Sequence, residues 1–359
     1  MQAAPPLFPP SDAFSVSGSS PPDTRLDPST QTLHFRAPFP LHHGSRLPNA
    51  RVAYALTGPD EAPVVIALGG ISSNRYPHES AAHDELGWWS NIIGPDRAVN
   101  TRRFRVLGID YLGGHGDSTT GTDGLQGPDG FPSISSVDQA RAIIALLDAL
   151  GIDQAAAIVG ASYGGMVGLA LAEQQSHRVE RLITISAAHR PHPLATAWRS
   201  VQRDIVRLGI ANNSAAEALG LARALAMTTY RSSAEFAERF AGPPTRPEGR
   251  FRFPVERYLQ QRGRDFQARF SAVAFLTLSE SIDLHTVDPK RIDCPTTVVG
   301  VDSDALIPLD DCRELAVAIA APCEFVELKS LYGHDAFLKE TKAMGAIIAK
   351  GLAQRGGVA

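Results

Sequence analysis

Gly160-Ala161-Ser162-Tyr163-Gly164 carries the spacing G-x-S-x-G, in which a serine held on a sharp turn can act as a nucleophile. The flanking residues suit such a turn. Ala156-Ala157-Ile158-Val159 is an apolar, β-branched run of strand type, and a small-residue helical pattern begins after Ser162. The glycines on either side leave room for neighbouring backbone to come close. A turn of this kind lifts the Ser162 Oγ clear of a sheet. It also points the Tyr163 backbone N–H, at the new helix's N-terminus, toward any oxyanion formed there. The same spacing fits an inert Gly-Ser turn or a phosphate cradle, so the partners of Ser162 decide its chemistry.

A serine hydroxyl becomes a good nucleophile when an imidazole takes its proton, and the imidazole needs a carboxylate to hold one tautomer. Both residue types follow apolar runs further along. Thr296-Thr297-Val298-Val299-Gly300-Val301 leads into Asp302-Ser303-Asp304, and Cys323–Leu328 precedes the loop Tyr332-Gly333-His334-Asp335. The chain order Ser162, Asp304, His334 is that of an α/β-hydrolase triad and differs from the orders of the two common serine-protease folds. In that arrangement Ser162 is the nucleophile, His334 the base and acid, and Asp304 the orienting carboxylate. Asp302, after the same strand, is a rival for the last role. A second oxyanion donor is read at the Ile71 N–H, because Gly69-Gly70-Ile71 follows the continuously apolar Pro63–Leu68 and its glycines let backbone face a cavity.

Positioning three residues so far apart requires a scaffold, and the patterning supplies one. Strand-type runs occur at Leu33–Phe35, Ala50–Leu56, Pro63–Leu68, Arg103–Asp110, the elbow strand, Val179–Ser186, Thr296–Val301 and Cys323–Leu328. An amphipathic helix opens at Val137 and runs through Leu150 to a Gly151 C-cap, and a closing helix spans Ala336 to about Leu352. Strands alternating with helices imply a mainly parallel sheet with sites at the strands' C-terminal ends. The alternation breaks between 190 and 285, where Trp198–Leu208, Ala215–Tyr230 and Ser233–Phe240 have helical periodicity. The predicted fold class is therefore α/β: an α/β-hydrolase fold, a mostly parallel sheet flanked by helices with an inserted helical lid. Its core is 31–189 and 286–359, its lid 190–285. Residues 1–30, rich in Pro, Ser and Ala, read as a disordered or loosely attached leader without signal-peptide character.

Composition narrows the partners. Among 359 residues 43% are hydrophobic and 20% charged, with a net charge of −4 and no basic cluster, which argues against nucleic acid. No run approaches the ~20 apolar residues of a membrane span, and the expected location is cytoplasmic. Cys294, Cys312 and Cys323 lack metal or disulfide spacing and read as reduced packing thiols. His115 and Asp117 share a glycine-rich loop but make too small a ligand set for a metal site. No metal is expected.

Several further segments carry a likeness to a known family. These are Gly87-Trp88-Trp89, Ile93-Gly94-Pro95, Gly160–Met166, Arg203 within Val201–Ile205, Gly220-Leu221-Ala222-Arg223 with Tyr230-Arg231-Ser232, Phe253–Leu259, Ser303-Asp304 and Gly333–Phe337. In number and order they resemble the homoserine O-acyltransferases of the α/β-hydrolase superfamily, from about Thr32 to Leu352. The resemblance implies an acyltransferase of methionine biosynthesis. Ser162 would take an acyl group from acyl-CoA, a co-substrate with no bound cofactor beside it, and pass it to the side-chain hydroxyl of L-homoserine. It further implies that Arg203 holds the amino acid's carboxylate, that Asp335 holds its ammonium, and that the chain forms a homodimer through its lid helices. A guanidinium fork does match a carboxylate, and a fixed carboxylate selects an amine. Gly116-Asp117-Ser118-Thr119-Thr120-Gly121 and Gly69-Gly70-Ile71-Ser72 depart from the family's usual loops and mark a divergent branch.

Within that resemblance the residue two past the catalytic aspartate bears on the donor. Leu306 there points to acetyl-CoA, while Arg75, on the oxyanion loop, offers a cation for succinyl-CoA by another route. L-Serine is a second acceptor, since one methylene is worth only ~1–3 kcal/mol of discrimination. Two other classes remain open: an esterase or thioesterase that uses water as acceptor, and a non-catalytic binder of the same fold.

Overall fold

The computed structural model describes residues 23–27, 29–79, 86–125, 127 and 129–353, Thr122 by its backbone alone. The runs of strand type assemble into one nine-stranded sheet. In chain order come β1 (Thr24–Asp27) and β2 (Thr32–Phe35), the short pair β3 (Phe39–Pro40) and β4 (Arg46–Leu47), then β5 (Arg51–Thr57) and β6 (Val64–Leu68). A second short pair, β7 (Ile93–Gly94) and β8 (Val99–Asn100), precedes β9 (Arg105–Ile109) and β10 (Ala157–Ala161). The last three are β11 (Leu182–Ile185), β12 (Thr296–Val301) and β13 (Cys323–Leu328). Across the sheet the order is β1-β2-β5-β9-β6-β10-β11-β12-β13. From β9 to β13 every neighbouring pair is parallel, while β1, β2 and β5 add an antiparallel edge.

Helices cover both faces of the parallel part, which is why β6, β10, β11 and β12 are buried along their whole length and, three threonines apart, apolar. The helices before the insertion are α1 (Ser136–Ala149) and α2 (Tyr163–Gln175). The insertion holds α3 (Pro193–Ala211), α4 (Ala215–Tyr230), α5 (Ser233–Phe240), α6 (Pro254–Gln267) and α7 (Ala272–Asp283). After it come α8 (Leu309–Ala318), α9 (Ala336–Lys339) and α10 (Thr341–Ala353). Side chains alternate along the strands into two cores. Val64, Ile66 and Leu68 join one with residues of α1, α2 and α8; Val65 and Ala67 join the other with Trp89 and residues of α10.

Local chemistry sets the helix ends. Asp138, in the first turn of α1, reaches back to accept the Ser135 N–H at 2.8 Å, and Gly151 turns the chain away with φ 67°. Three expectations need correction. Thr24–Asp27, assigned to the leader, pairs with β2 as an edge strand; residues 1–22 lie outside the described residues. The insertion has two helices beyond those expected: α6, amphipathic and opened by Pro254, and α7, largely buried and so without a clear polar face. The closing helix breaks at Glu340, where ψ is 52°, so α9 and α10 are separate.

Candidate active site

Ser162 lies between β10 and α2 with φ 56° and ψ −124°, a conformation that a residue with a side chain holds only when its surroundings over-determine it. The flanking glycines make the tight turn possible. A Cβ at Gly160 would meet the Gly164 carbonyl oxygen at 2.4 Å, and one at Gly164 would meet the Leu68 carbonyl oxygen at 2.3 Å. Hydrogen bonds fix the turn to its neighbours: the Ser162 N–H donates to Ile185 O at 2.9 Å, and the Gly164 N–H to Gly69 O at 2.9 Å.

Three strand ends deliver three side chains to one line. His334 Nε2 lies 2.8 Å from Ser162 Oγ, and His334 Nδ1 lies 2.7 Å from Asp304 Oδ2. With Nδ1–H donating to the carboxylate, the neutral ring presents Nε2 as acceptor for the serine proton. Asp304 Oδ1 accepts the N–H groups of Leu306 at 2.9 Å and Ile307 at 3.0 Å, leaving Oδ2 for the histidine. Asp302 does other work. Its Oδ1 accepts the Ser330 N–H at 3.0 Å, and Ser303 Oγ accepts the Gly333 N–H at 3.1 Å, so both hold the loop that carries His334. Burial pulls the His334 pKa down, but Asp304 reverses that and leaves it above the ordinary imidazole value.

The two N–H groups expected to face an oxyanion lie beside this line. Tyr163 and Ile71 both line the cavity at Ser162, and neither N–H donates to another described residue. The Ile71 loop is held because Gly69 O accepts both the Gly164 N–H and the Tyr111 hydroxyl, the latter at 2.8 Å. The Tyr163 side chain points the other way, with its hydroxyl 2.6 Å from Ser281 Oγ.

Two cavities meet at Ser162 and His334. The inner one is closed by the insertion and lined by Arg199, Gln202, Thr229, Ser279, Phe275 and Leu306. The outer one is wider and lined by Trp88, His115, Arg223, Tyr230, Arg269 and Asp335. Asp335 therefore sits on the outer cavity, where its Oδ2 is 3.0 Å from Arg231. Leu306 is buried on the inner one.

Two expected residues lie elsewhere. Arg203 lines neither cavity; its Nη1 donates to Asp283 Oδ2 at 2.6 Å and to both the carbonyl and hydroxyl oxygens of Ser279 at 3.1 Å. It is a structural tie between α3 and α7, not a group open to substrate. Arg75 is likewise spent, on Asp110 at 2.5 Å and Asp117 at 2.6 Å, away from both cavities at Ser162.

Sequence reasoning missed two other arginines. Arg199 stands one helical turn before Arg203 and lines the inner cavity. Arg223 lines the outer one with its guanidinium 5.0 Å from the Tyr230 ring and 4.8 Å from the Phe266 ring, and no carboxylate among the described residues pairs with it. The helix crossing that brings Phe266 there is close: a Cβ at Gly263 would meet Gly220 O at 2.5 Å. The signal for Arg223 was present, since Arg223 and Tyr230 lie two turns apart on one face of α4.

Other candidates are plainly placed. His115 borders the outer cavity and Asp117 is ion-paired. Among the described residues no group of three or more His, Cys, Asp and Glu is arranged to hold a metal ion, and no helix is long and apolar enough to cross a membrane. The three cysteines are unpaired, and burial pushes the Cys294 thiol up to about 11.

Comparison with known proteins bears on the fold and the family. Residues 63–341 match the alpha/beta hydrolase fold family. The chain is 40% identical to a homoserine O-succinyltransferase of Xanthomonas campestris pv. campestris, over 97% of its own length and 93% of that protein's. It is 32% identical to a homoserine O-acetyltransferase of Thermobifida fusca, over 90% and 93% of the two chains. A solved homoserine O-acetyltransferase from Bacillus anthracis superposes with a TM-score of 0.81, covering 89% of this chain and 96% of that one. At 17% identity that likeness is one of fold.

Proposed function

This chain belongs to the homoserine O-acyltransferase family of the α/β-hydrolase superfamily, and from that premise we propose that it carries an acyl group from acyl-CoA, through an ester on Ser162, to the side-chain hydroxyl of L-homoserine. In the first half-reaction Ser162 Oγ attacks the thioester carbonyl while His334 Nε2 takes its proton. The Ile71 and Tyr163 N–H groups receive the oxyanion. Collapse expels the CoA sulfur, to which His334 returns the proton, and the acyl ester remains on Ser162. In the second half-reaction the homoserine hydroxyl gives its proton to His334 and attacks the ester. Ser162 leaves and regains a proton from the imidazolium. Asp304 keeps the ring in one tautomer and stabilises its charged form throughout.

The observation that carries the choice of acceptor is the pair of opposite charges on the outer cavity. Arg223 and Asp335 both border it beside His334. A free amino acid is a zwitterion, and a guanidinium and a carboxylate on one cavity match its carboxylate and its ammonium. Water needs no such pair. Incubation with acyl-CoA with and without L-homoserine tests this reading. CoA release should rise with homoserine and be matched by O-acylhomoserine; release indifferent to homoserine defeats it. L-Serine belongs in the same assay as the shorter acceptor.

Arg223→Met is expected to raise the homoserine KM and lower kcat/KM by roughly 10²-fold, because it removes one side of a charge-assisted contact. Acylation of Ser162 by the donor alone should persist. Arg203→Met should instead lower thermal stability, since it leaves Asp283 with fewer partners.

A homodimer is part of the same proposal. Leu194, Val201 and Leu208 lie seven residues apart on α3 and are 50%, 51% and 67% exposed. A leucine-type stripe repeating every two turns is self-complementary about a twofold axis. Leu208→Glu should convert a dimer to a monomer in sedimentation; a monomeric wild type at micromolar concentration would refute the dimer.

A further inference from the structure

The inner cavity holds a charge that acyl transfer to an amino acid leaves unused. Asp283 Oδ1 accepts Arg199 Nε at 2.8 Å and Arg199 Nη2 at 2.6 Å, while its Oδ2 accepts Arg203 Nη1 at 2.6 Å. One carboxylate between two guanidiniums leaves one net positive charge. The three side chains are only 9–11% exposed. A buried net charge is costly unless an opposite charge joins it. No aspartate or glutamate lines the inner cavity, and Arg199 Nη1 donates to no described residue.

We propose that Arg199 anchors a free carboxylate at the far end of the acyl group, so that the donor is the CoA thioester of a dicarboxylic acid, of the succinyl class, and not acetyl-CoA. The proposal rests on the acyl-transfer reading above. The acyl group sits on Ser162, and Ser162, Leu306 and Arg199 line one cavity. Leu306, Phe275 and Ile307 there supply apolar contact for methylenes, and Arg199, Gln202 and Ser279 supply donors for the terminal carboxylate. An acetyl group would leave Arg199 Nη1 without an acceptor and the excess positive charge of the Arg199–Asp283–Arg203 cluster without a partner. The acceptor has no claim on it, because an amino acid bound in the inner cavity would find no acid for its ammonium, whereas the outer cavity offers Asp335.

The test compares succinyl-CoA with acetyl-CoA, each with L-homoserine, on the full chain and on Arg199→Met and Arg199→Lys. The wild type should favour succinyl-CoA in kcat/KM. Arg199→Met should lower the succinyl-to-acetyl ratio by roughly 10²-fold, the usual scale for losing one partner of a buried charge pair, with Arg199→Lys restoring part of it. The methionine variant should fold, since Asp283 keeps Arg203 and also the Thr196 hydroxyl at 2.7 Å. A wild-type measurement stands beside the variants: brief mixing with equal concentrations of both donors, followed by intact mass, should reveal mainly a succinyl adduct. A mainly acetyl adduct, or an Arg199→Met enzyme that loses both donors equally, overturns the proposal and leaves acyl transfer standing. Product from neither donor in the wild type overturns acyl transfer itself, and this proposal with it.

Discussion

Ser162→Ala is expected to lower kcat by roughly 10⁴–10⁶-fold and to leave no acyl adduct detectable by mass after mixing with acyl-CoA. The size follows from the site. Ser162 Oγ is the atom 2.8 Å from His334 Nε2, at the junction of both cavities. Without it the imidazole has no proton to take and the acyl group no resting place. Homoserine would have to attack the thioester directly, without the two-step route that the elbow provides. The oxyanion donors and binding groups would still lower that barrier somewhat, so a residual rate above background is expected. Folding should survive, because the Ser162 backbone N–H and carbonyl make the turn's hydrogen bonds, and alanine keeps both. Retention of the acyl adduct in the alanine variant would mean that another residue is the nucleophile, and would end this account of the site.

Asp304→Asn should lower kcat by roughly 10⁴-fold, whereas Asp302→Asn should cost activity only through the His334 loop. The asparagine can still accept the Leu306 and Ile307 N–H groups, which hold Asp304 Oδ1 now. What it cannot do is offer His334 Nδ1 a charged acceptor. Its amide would present a donor or a weaker acceptor, and the ring would lose both its preferred tautomer and the partner of its imidazolium. The pH profile should move as well. Burial lowers the His334 pKa and the neighbouring Asp304 charge raises it above the ordinary value, so the wild-type rate should fall on its acid side at a pH above that value. Removing the Asp304 charge leaves burial opposed only by Asp335, and the acid limb should shift to lower pH. A profile unmoved in Asp304→Asn would show that this carboxylate is not the one that sets the histidine's basicity.

Much of the scaffold was legible in the residues. The elbow is largely a local object: its glycines are required by carbonyl contacts within the same turn or on the adjacent strand, so the spacing points to a tight turn and the partners of Ser162 then identify it. The buried strands announce themselves because a parallel sheet covered on both faces admits little but apolar residues. Strand β1 escaped notice because an exposed antiparallel edge tolerates the charged Arg25 and Asp27. Asp304 was the acid assigned from sequence, but Asp302 stayed a rival, being two residues away on the same strand exit. Only the loop from β13, folded against them, pairs the first with Ser330 and the second with His334.

The arginines divide along the same line. Arg199 and Arg203 share one face of α3, and residue type and spacing treat them alike. Which one lines the inner cavity depends on where α7 places Asp283 and Ser279, some 80 positions downstream. Arg223 is chosen by the crossing of α4 with α6, and Arg75 is withdrawn by two aspartates on a distant loop. Sequence by itself determined the class of fold, the turn that exposes Ser162, and the order in which an acid and a base return to it. Those follow from rules that act within a turn or along a strand. The tertiary structure alone decided which carboxylate faces the imidazole and which charged groups border the cavities at Ser162, because packing determines which side chains line a cavity and which are turned wholly into ion pairs elsewhere.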